Sequence, residues 1–194
     1  MNHDRFIPIV LLAALFCAGA SSAQTPMTSA QMIAAEQAAI AKLARLDGIW
    51  RGTGSMIDRP GQTPWHMIDT LRVGSALDGT VKIIEIRDYL PDGTVGFHAL
   101  NTIAYDPQKA VYVMSARGGG RSGNFSFRLT PDGYIWIIGT EERGLVYTGK
   151  VNDQNWSELG QGVGPGRPPV QMSEFTVHRI GNTDWPDAGA VPAR

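Results

Sequence analysis

Turn signals recur at short intervals from Gly48 onward, and this regular punctuation restricts the possible folds more than any other feature of the sequence. The sharpest are Pro91-Asp92-Gly93 and Pro131-Asp132-Gly133, in which proline presets the first turn position and glycine takes the positive-φ position of a short hairpin. Nine signals delimit ten short segments, namely residues 48–57, 65–74, 80–90, 94–105, 110–117, 123–130, 134–140, 144–151, 155–162 and 170–180.

Short, hairpin-linked strands behind a single leading helix predict an all-β fold, a ten-stranded antiparallel up-and-down barrel over residues 48–180. A two-sheet sandwich is the alternative, but the even meander and the lack of a long crossover disfavour it. The residues after the last strand, 181–194, are rich in Gly, Pro and Ala and predict a loose C-terminal tail.

One helix is predicted before the barrel, within a linker and N-terminal helix segment of residues 24–47. Thr28 as N-cap and Gln31 three residues later resemble a capping box. Apolar residues then follow at helical spacing as far as Leu46, where an Asp-Gly pair ends the helix.

The first residues of the chain resemble a secretory leader. Arg5 precedes an apolar run over residues 6–20, which the small residues Ser21-Ser22-Ala23 follow. This pattern predicts a signal peptide over residues 1–23, cleaved near Ala23, and therefore a periplasmic or secreted protein.

Composition excludes several classes of partner and chemistry. With 17 basic and 18 acidic residues and no basic run, the chain predicts no nucleic-acid partner. The apolar run is too short for a comfortable membrane span, which predicts no membrane insertion. The single cysteine, Cys17, lies in the predicted leader, and no H-x-H or H-E-x-x-H spacing occurs, so we expect no metal site. The sequence does not determine the oligomeric state.

One face of the first predicted strand carries a tryptophan among three glycines: Gly48, Trp50, Gly52 and Gly54. In the last strand, Arg179 shares the apolar, inward face of Phe175 and Val177. A helix running into G-x-W on the first strand of an antiparallel barrel resembles the calycin superfamily, which includes lipocalins and fatty-acid-binding proteins. In that superfamily the tryptophan closes one end of the barrel and a basic side chain of the last strand packs across its ring. The resemblance implies that Gly48, Trp50 and Arg179 close the barrel here.

The whole chain after the predicted leader resembles, more narrowly, a bacterial calycin-like barrel family that is a domain of unknown function, and its residues 104–113 are similar to the tyrosine-aspartate segment of that family. The extended G-x-W-x-G-x-G is also similar to nitrobindin, a ten-stranded barrel that binds haem through an inward histidine on a late strand. Here His178 neighbours the inward Arg179, and His66 alternates away from the apolar face of its strand, whereas His98 is ambiguous. The alternation therefore argues against haem, and no cofactor is predicted.

The third strand carries opposite charges on both of its faces. Lys82 and Asp88 share one face, and Glu85 and Arg87 share the other. An inward Lys82–Asp88 face is favoured, because both residues sit near strand ends where water is close, and Glu85 and Arg87 then form a solvated outer pair. In the opposite orientation, Glu85 and Arg87 become candidate catalytic residues together with Tyr147.

The side chains expected to contact a ligand are aromatic and lie on presumed inner faces: Trp65, Phe97, Phe125, Phe127 and Trp136. Small residues on inner faces favour a cavity, but a filled core stays equally open. Asp69 interrupts the apolar face of the second strand, and the arginines of the Arg117-Gly-Gly-Gly-Arg121 loop could attract a carboxylate at the mouth.

These patterns favour a secreted calycin-like barrel that binds a small apolar or aromatic molecule without transforming it. Whether the chain is an enzyme stays open, since a lyase or isomerase using acid–base residues in the lumen is an alternative. A structural or partner-binding envelope protein, whose helix docks elsewhere, is another. Convergent ionisable groups in the interior would favour the enzyme, an all-apolar interior the binder, and a filled interior with an exposed apolar helix face the third.

Overall fold

The ten predicted strands form and close on one another in the computed structural model, which describes residues 26–186. The predicted signal peptide and residues 187–194 of the predicted tail lie outside the described residues. The helix α1 spans Ser29–Ala41, and the ten strands are β1 Gly48–Met56, β2 Trp65–Ala76, β3 Val81–Tyr89, β4 Val95–Asp106, β5 Val111–Gly118, β6 Arg121–Thr130, β7 Gly133–Gly139, β8 Gly144–Val151, β9 Asn155–Gly164 and β10 Arg167–Gly181.

Every strand pairs antiparallel with the next one in the chain, and β1 pairs with β10, so the sheet has no free edge. The predicted ten-stranded antiparallel barrel with one leading helix is thus confirmed. None of the helices among residues 26–186 is long and apolar enough to cross a membrane.

Of the two Pro-Asp-Gly turns, only the first has the expected glycine conformation. Gly93 adopts a φ of 83° in the β3–β4 turn. Gly133 instead opens β7, where a Cβ atom would lie 2.2 Å from the carbonyl oxygen of Gly149. Glycine at that position permits close approach of two strands.

The helix begins where the sequence predicts and ends earlier. Thr28 Oγ1 accepts the backbone N–H of Gln31 at 3.3 Å, and Gln31 Oε1 accepts the backbone N–H of Thr28 at 2.8 Å, which confirms the capping box. The prediction of a continuous helix to Leu46 is wrong, because α1 stops at Ala41 and a separate 3-10 turn covers Ala44–Leu46. The break lets Leu43, at 3% exposure, and Leu46, at 1%, both enter the end of the barrel.

That end of the barrel is sealed by Trp50 and Arg179. Trp50 is fully buried, its Nε1 donates to the carbonyl oxygen of Leu46 at 2.8 Å, and the guanidinium of Arg179 lies 4.3 Å from its ring centroid. Arg179 also donates to the carbonyl oxygens of Arg45, Asp47 and Asp153. One side chain of the last strand therefore holds the 3-10 turn, the β8–β9 region and the tryptophan of the first strand together.

Gly48 has to be a glycine for this closure. Its φ is 130°, and a Cβ atom there would lie 2.3 Å from Nη1 of Arg179. A side chain at this position would be strained and would also push the guanidinium off the Trp50 ring.

The orientation of β3 is the one favoured from the sequence. Lys82 and Asp88 face inward, and Glu85 and Arg87 face outward. Contrary to expectation, Lys82 is not near water: it is 1% exposed, and its Nζ donates to Ser75 Oγ at 2.6 Å and to the Asp47 carboxylate. The buried charge is neutralised at the closed end by the residue that follows the 3-10 turn.

We expect Trp50→Ala to lower the free energy of unfolding by about 3–5 kcal/mol, because it leaves a large cavity and removes the support of Arg179. Urea unfolding measures the loss. Trp185→Ala is the matched control, since Arg72 also stacks on Trp185, at 4.7 Å, but on the outside of the barrel. An unchanged free energy of unfolding in Trp50→Ala would show that this end of the barrel does not depend on the tryptophan.

Candidate functional site

The interior of the barrel is hollow towards the end opposite α1. A cavity of about 610 Å³ opens there, lined by side chains from all ten strands. The inner positions near this mouth are small on neighbouring strands: Ala99, Ala116, Gly118 and Gly123. Deeper in, Ile103, Met114 and Phe127 fill the same faces and are almost fully buried. The change from small to large inner residues is what makes the cavity.

One wall of the cavity is aromatic. Trp136 and Tyr147 stack with their ring centroids 3.8 Å apart and their planes 4° from parallel. Phe125 lies 5.8 Å from Trp136, and Phe97 completes the lining beside the β5–β6 turn. Flat apolar ligands can stack on such a surface.

Two of the five aromatic residues expected to line the ligand site do not line this cavity. Phe127 lies beneath it, stacked on Tyr134 at 5.1 Å, where it belongs to the core. Trp65 begins β2 and is paired with Met56, which lines the cavity, but Trp65 itself does not contribute to the lining. Both residues occupy inner-facing positions, but at points along the barrel axis where they do not contribute to the cavity lining.

Two aspartates meet on the inner face of β2 and β3. Asp69 and Asp88 are directly paired in the sheet register, and both line the cavity. They are 4% and 6% exposed, and Oδ1 of each is buried without a hydrogen-bond partner among the described residues.

The pair holds a proton more tightly than isolated aspartates do. Burial, followed by the charge of Asp88, raises the pKa of Asp69 from 3.8 to about 8. Burial also raises the pKa of Asp88 to about 6, against a lowering hydrogen bond from Asp69. At neutral pH the two carboxyls therefore share one proton and carry one negative charge between them.

A third carboxyl, Glu158 of β9, lies within a hydrogen-bonded aromatic chain. Its Oε2 accepts Tyr134 Oη–H at 2.7 Å and Trp136 Nε1–H at 2.9 Å, and Tyr134 Oη in turn accepts Trp156 Nε1–H at 2.8 Å. Burial raises the pKa of Glu158, and its two donors partly offset the rise. Burial and the nearby Glu158 raise the pKa of Tyr147 to about 12, so this phenol can donate but not act as a base at neutral pH.

Of the candidate catalytic residues, only Tyr147 reaches the cavity. Glu85 lies on the outer wall, where it accepts from Arg72 at 2.6 Å, from Arg87 at 3.2 Å and from His98 at 3.2 Å. Glu85 and Arg87 thus cannot meet a ligand in the lumen, because strand alternation commits the inner face of β3 to Lys82, Ile84 and Asp88. They form a surface ion network.

The histidines considered for haem also face outward. His66 and His98 are exposed on the outer wall, and His178 is exposed with its Nδ1 2.6 Å from Asn155 Oδ1. Within residues 26–186, no three His, Cys, Asp or Glu side chains are grouped so that they could hold a metal ion.

The rim of the cavity is basic where its interior is acidic. Arg117 and Arg121 flank the β5–β6 turn and both line the mouth, as the spacing of their loop suggested. Strand alternation marks Asp69 only as an interruption of an apolar face and places Asp88 near water at a strand end. Glu158 was not predicted from the sequence, although a charged residue between Trp156 and Gly160 on the inner face of β9 was a usable signal.

Comparison with known proteins supports the fold and does not identify a family. No protein-family model matches the sequence, and no curated protein matches it at a significant level. The crystal structure of Rv2717c from M. tuberculosis is similar, with a TM-score of 0.55 and 13% identity over 73% of this chain and 96% of that chain. At this identity the likeness concerns the barrel fold alone.

We expect Asp69→Asn to flatten the dependence of thermal stability on pH. The folded protein retains a proton that the unfolded chain releases near pH 3.8, so wild-type stability falls as the pH rises towards about 8. The variant should therefore melt at a higher temperature than wild type in alkaline buffer, which calorimetry across the pH range would measure. Asp58→Asn, on an exposed loop, is the control. Parallel curves for wild type and Asp69→Asn would contradict the shared-proton description.

Proposed function

We propose that this protein is a calycin-like binding protein that holds a small, largely apolar or aromatic molecule in its barrel. The observation that carries the proposal is the cavity of about 610 Å³, which falls within the usual range of small-molecule sites, about 300–1,000 Å³. A barrel whose only task was structural would gain stability by filling this volume.

The shape of the cavity favours a flat molecule. The stacked Trp136–Tyr147 pair and the neighbouring Phe125 form an aromatic wall. Small side chains such as Ala99 on β4 and Ala116 on β5 leave the volume in front of those strands free for a ligand. Stacking of an aromatic ligand on such a wall contributes about 0.5–1.5 kcal/mol beyond the burial of apolar area.

A ligand has one evident route into the barrel. The end near α1 is sealed by Leu43, Leu46 and Trp50, whereas the opposite end opens between the hairpin turns. Arg117 and Arg121 stand at that opening, and the exposed Glu174 also lines the cavity, so both signs of charge are present.

A second candidate is favoured by the carboxyls that converge in the same cavity. Asp69, Asp88 and Glu158 could support a lyase or isomerase, since a carboxyl pair that shares a proton offers both an acid and a base. Native mass spectrometry of protein from its own source would identify a retained molecule. Recovery of that molecule unchanged after incubation supports binding, and its conversion supports catalysis.

The third alternative, a partner-binding envelope protein, has less support. The helix α1 packs on its own barrel, where Tyr112 Oη donates to the carbonyl oxygen of Ala39 at 2.9 Å and Ile40 is 1% exposed. Its most buried apolar residues are therefore already covered.

Export of the protein is proposed from the sequence alone. If residues 1–23 are a signal peptide, the intact mass of protein recovered from its native cells should correspond to a chain that starts at Gln24. A mass that includes Met1 in protein from the cytoplasmic fraction would contradict export.

Ala116→Phe should block the cavity and abolish binding of a neutral fluorescent aromatic probe, N-phenyl-1-naphthylamine. Ala116 faces the lumen on β5, and its neighbour across the strand pair is Gly123, so a phenyl ring has space to enter the cavity. Probe titration measures the loss, and circular dichroism checks the fold.

Val113→Phe is the matched control, because it adds the same ring to β5 on the outer wall, where Val113 is 37% exposed. Equal probe binding by wild type, Ala116→Phe and Val113→Phe would place the probe outside the barrel and count against the proposed function.

A further inference from the structure

The Asp69–Asp88 pair differs from the other buried ionisable groups described above, because it has neither a partner of opposite charge nor a hydrogen-bond donor from outside the pair among the described residues. Lys82 is neutralised by Asp47, and Glu158 accepts two hydrogen bonds from aromatic donors. Among residues 26–186, no lysine or arginine forms an ion pair with either aspartate. Both have an unpartnered, buried Oδ1.

The two carboxyls share a proton with each other, but no donor from the other described residues reaches Oδ1 of either, whereas buried polar groups in folded proteins nearly always have such a donor. The unpartnered oxygens belong to side chains that line a large and mainly apolar cavity. A molecule that occupies the cavity can therefore replace the shared proton as the donor to both carboxyls.

The neighbourhood of the pair leaves the cavity side open. On the β1 side Asp69 lies against bare backbone, because a Cβ atom on Gly54 would be 2.2 Å from its Oδ2. On the β4 side Asp88 is paired with Phe97, which brings no charge. The other ionisable groups of the described residues that line the cavity are Glu158, Glu174, Tyr147, Arg117 and Arg121.

We propose that the Asp69–Asp88 pair is the binding site for a protonated amine or amidinium group, so that the ligand of this barrel is an aromatic or otherwise apolar cation. This inference rests on the proposed function and specifies the ligand class. An ammonium group supplies up to three N–H donors and one positive charge, so it can donate to both aspartates and take the place of the proton that they share. A hydroxyl supplies one donor and no charge, and a carboxylate would be repelled.

The aromatic wall and the carboxyl pair then have separate roles. The wall formed by Phe125, Trp136 and Tyr147 takes the apolar body of the ligand, and the pair on β2 and β3 takes its cationic group. Cation binding displaces the shared proton, so affinity for an ammonium ligand should rise with pH until the ligand itself loses its charge.

Three probes of matched size test the inference by isothermal titration calorimetry: phenethylamine, phenethyl alcohol and hydrocinnamate. At slightly alkaline pH we expect phenethylamine to bind about tenfold or more tightly than phenethyl alcohol, and hydrocinnamate to bind most weakly. Asp69→Asn and Asp88→Asn should each remove most of the preference for the amine and change alcohol binding little. Glu85→Gln, on the outer face of β3, should keep the preference.

A second measurement uses the wild-type protein, so it does not depend on the folding of any variant. Titration of phenethylamine in buffers of different ionisation enthalpy should reveal release of a proton on binding, and phenethyl alcohol should release none. Amine binding without proton release would overturn the inference.

The outcomes separate the inference from the function on which it rests. If amine and alcohol bind equally and Ala116→Phe abolishes both, the cavity binds ligands but the cation site is wrong. If Glu158→Gln removes the preference and the aspartate variants keep it, the cation lies elsewhere and the inference is overturned. If none of the three probes binds and N-phenyl-1-naphthylamine binds equally to wild type and Ala116→Phe, the proposed function itself fails.

Discussion

The contact between Arg179 and Trp50 is the interaction on which the rest of the structure depends. A barrel of ten strands must join its first strand to its last, and this side chain of β10 covers the tryptophan of β1 while it donates to carbonyl oxygens of the segment that leads from α1 into the barrel. The guanidinium of Arg179 therefore holds the closed end together, because it joins β10 to β1 and to the segment between α1 and β1. With that end fixed, the opposite end can stay hollow.

The polar groups inside the barrel fall into two kinds. Lys82 and Glu158 are buried with their hydrogen-bond partners, so they cost the fold little and help to fix its geometry. Asp69 and Asp88 line the cavity, and among the described residues no donor from outside the pair reaches Oδ1 of either. This difference separates residues that organise the protein from residues that are available to a ligand.

The architecture could be predicted from local patterns because turns and strand alternation are local. Turn residues gave the ten strands, and alternation oriented β3 and placed Arg179 inside. The Asp69–Asp88 contact could not be predicted in this way, because it depends on the register between β2 and β3. The position of a side chain along the barrel axis also depends on contacts between distant segments. Phe127 and Trp65 therefore point inward as Phe125 does, but they do not line its cavity. The early end of α1 reflects packing of Leu43 and Leu46, which overrides helical propensity.

The glycines of β1 limit how such a site can change. Gly54 lies under the carboxylate of Asp69, and a Cβ atom on Gly52 would be 2.0 Å from the carbonyl oxygen of Thr176. No side chain can be introduced at either position without displacing the main chain or the acid pair. Ligand preference can change more readily on β4, β5 and β6, whose inner positions near the mouth include small residues. The side of the barrel at β1 is therefore fixed by its glycines, and the side with small inner residues can accept substitutions that change ligand preference.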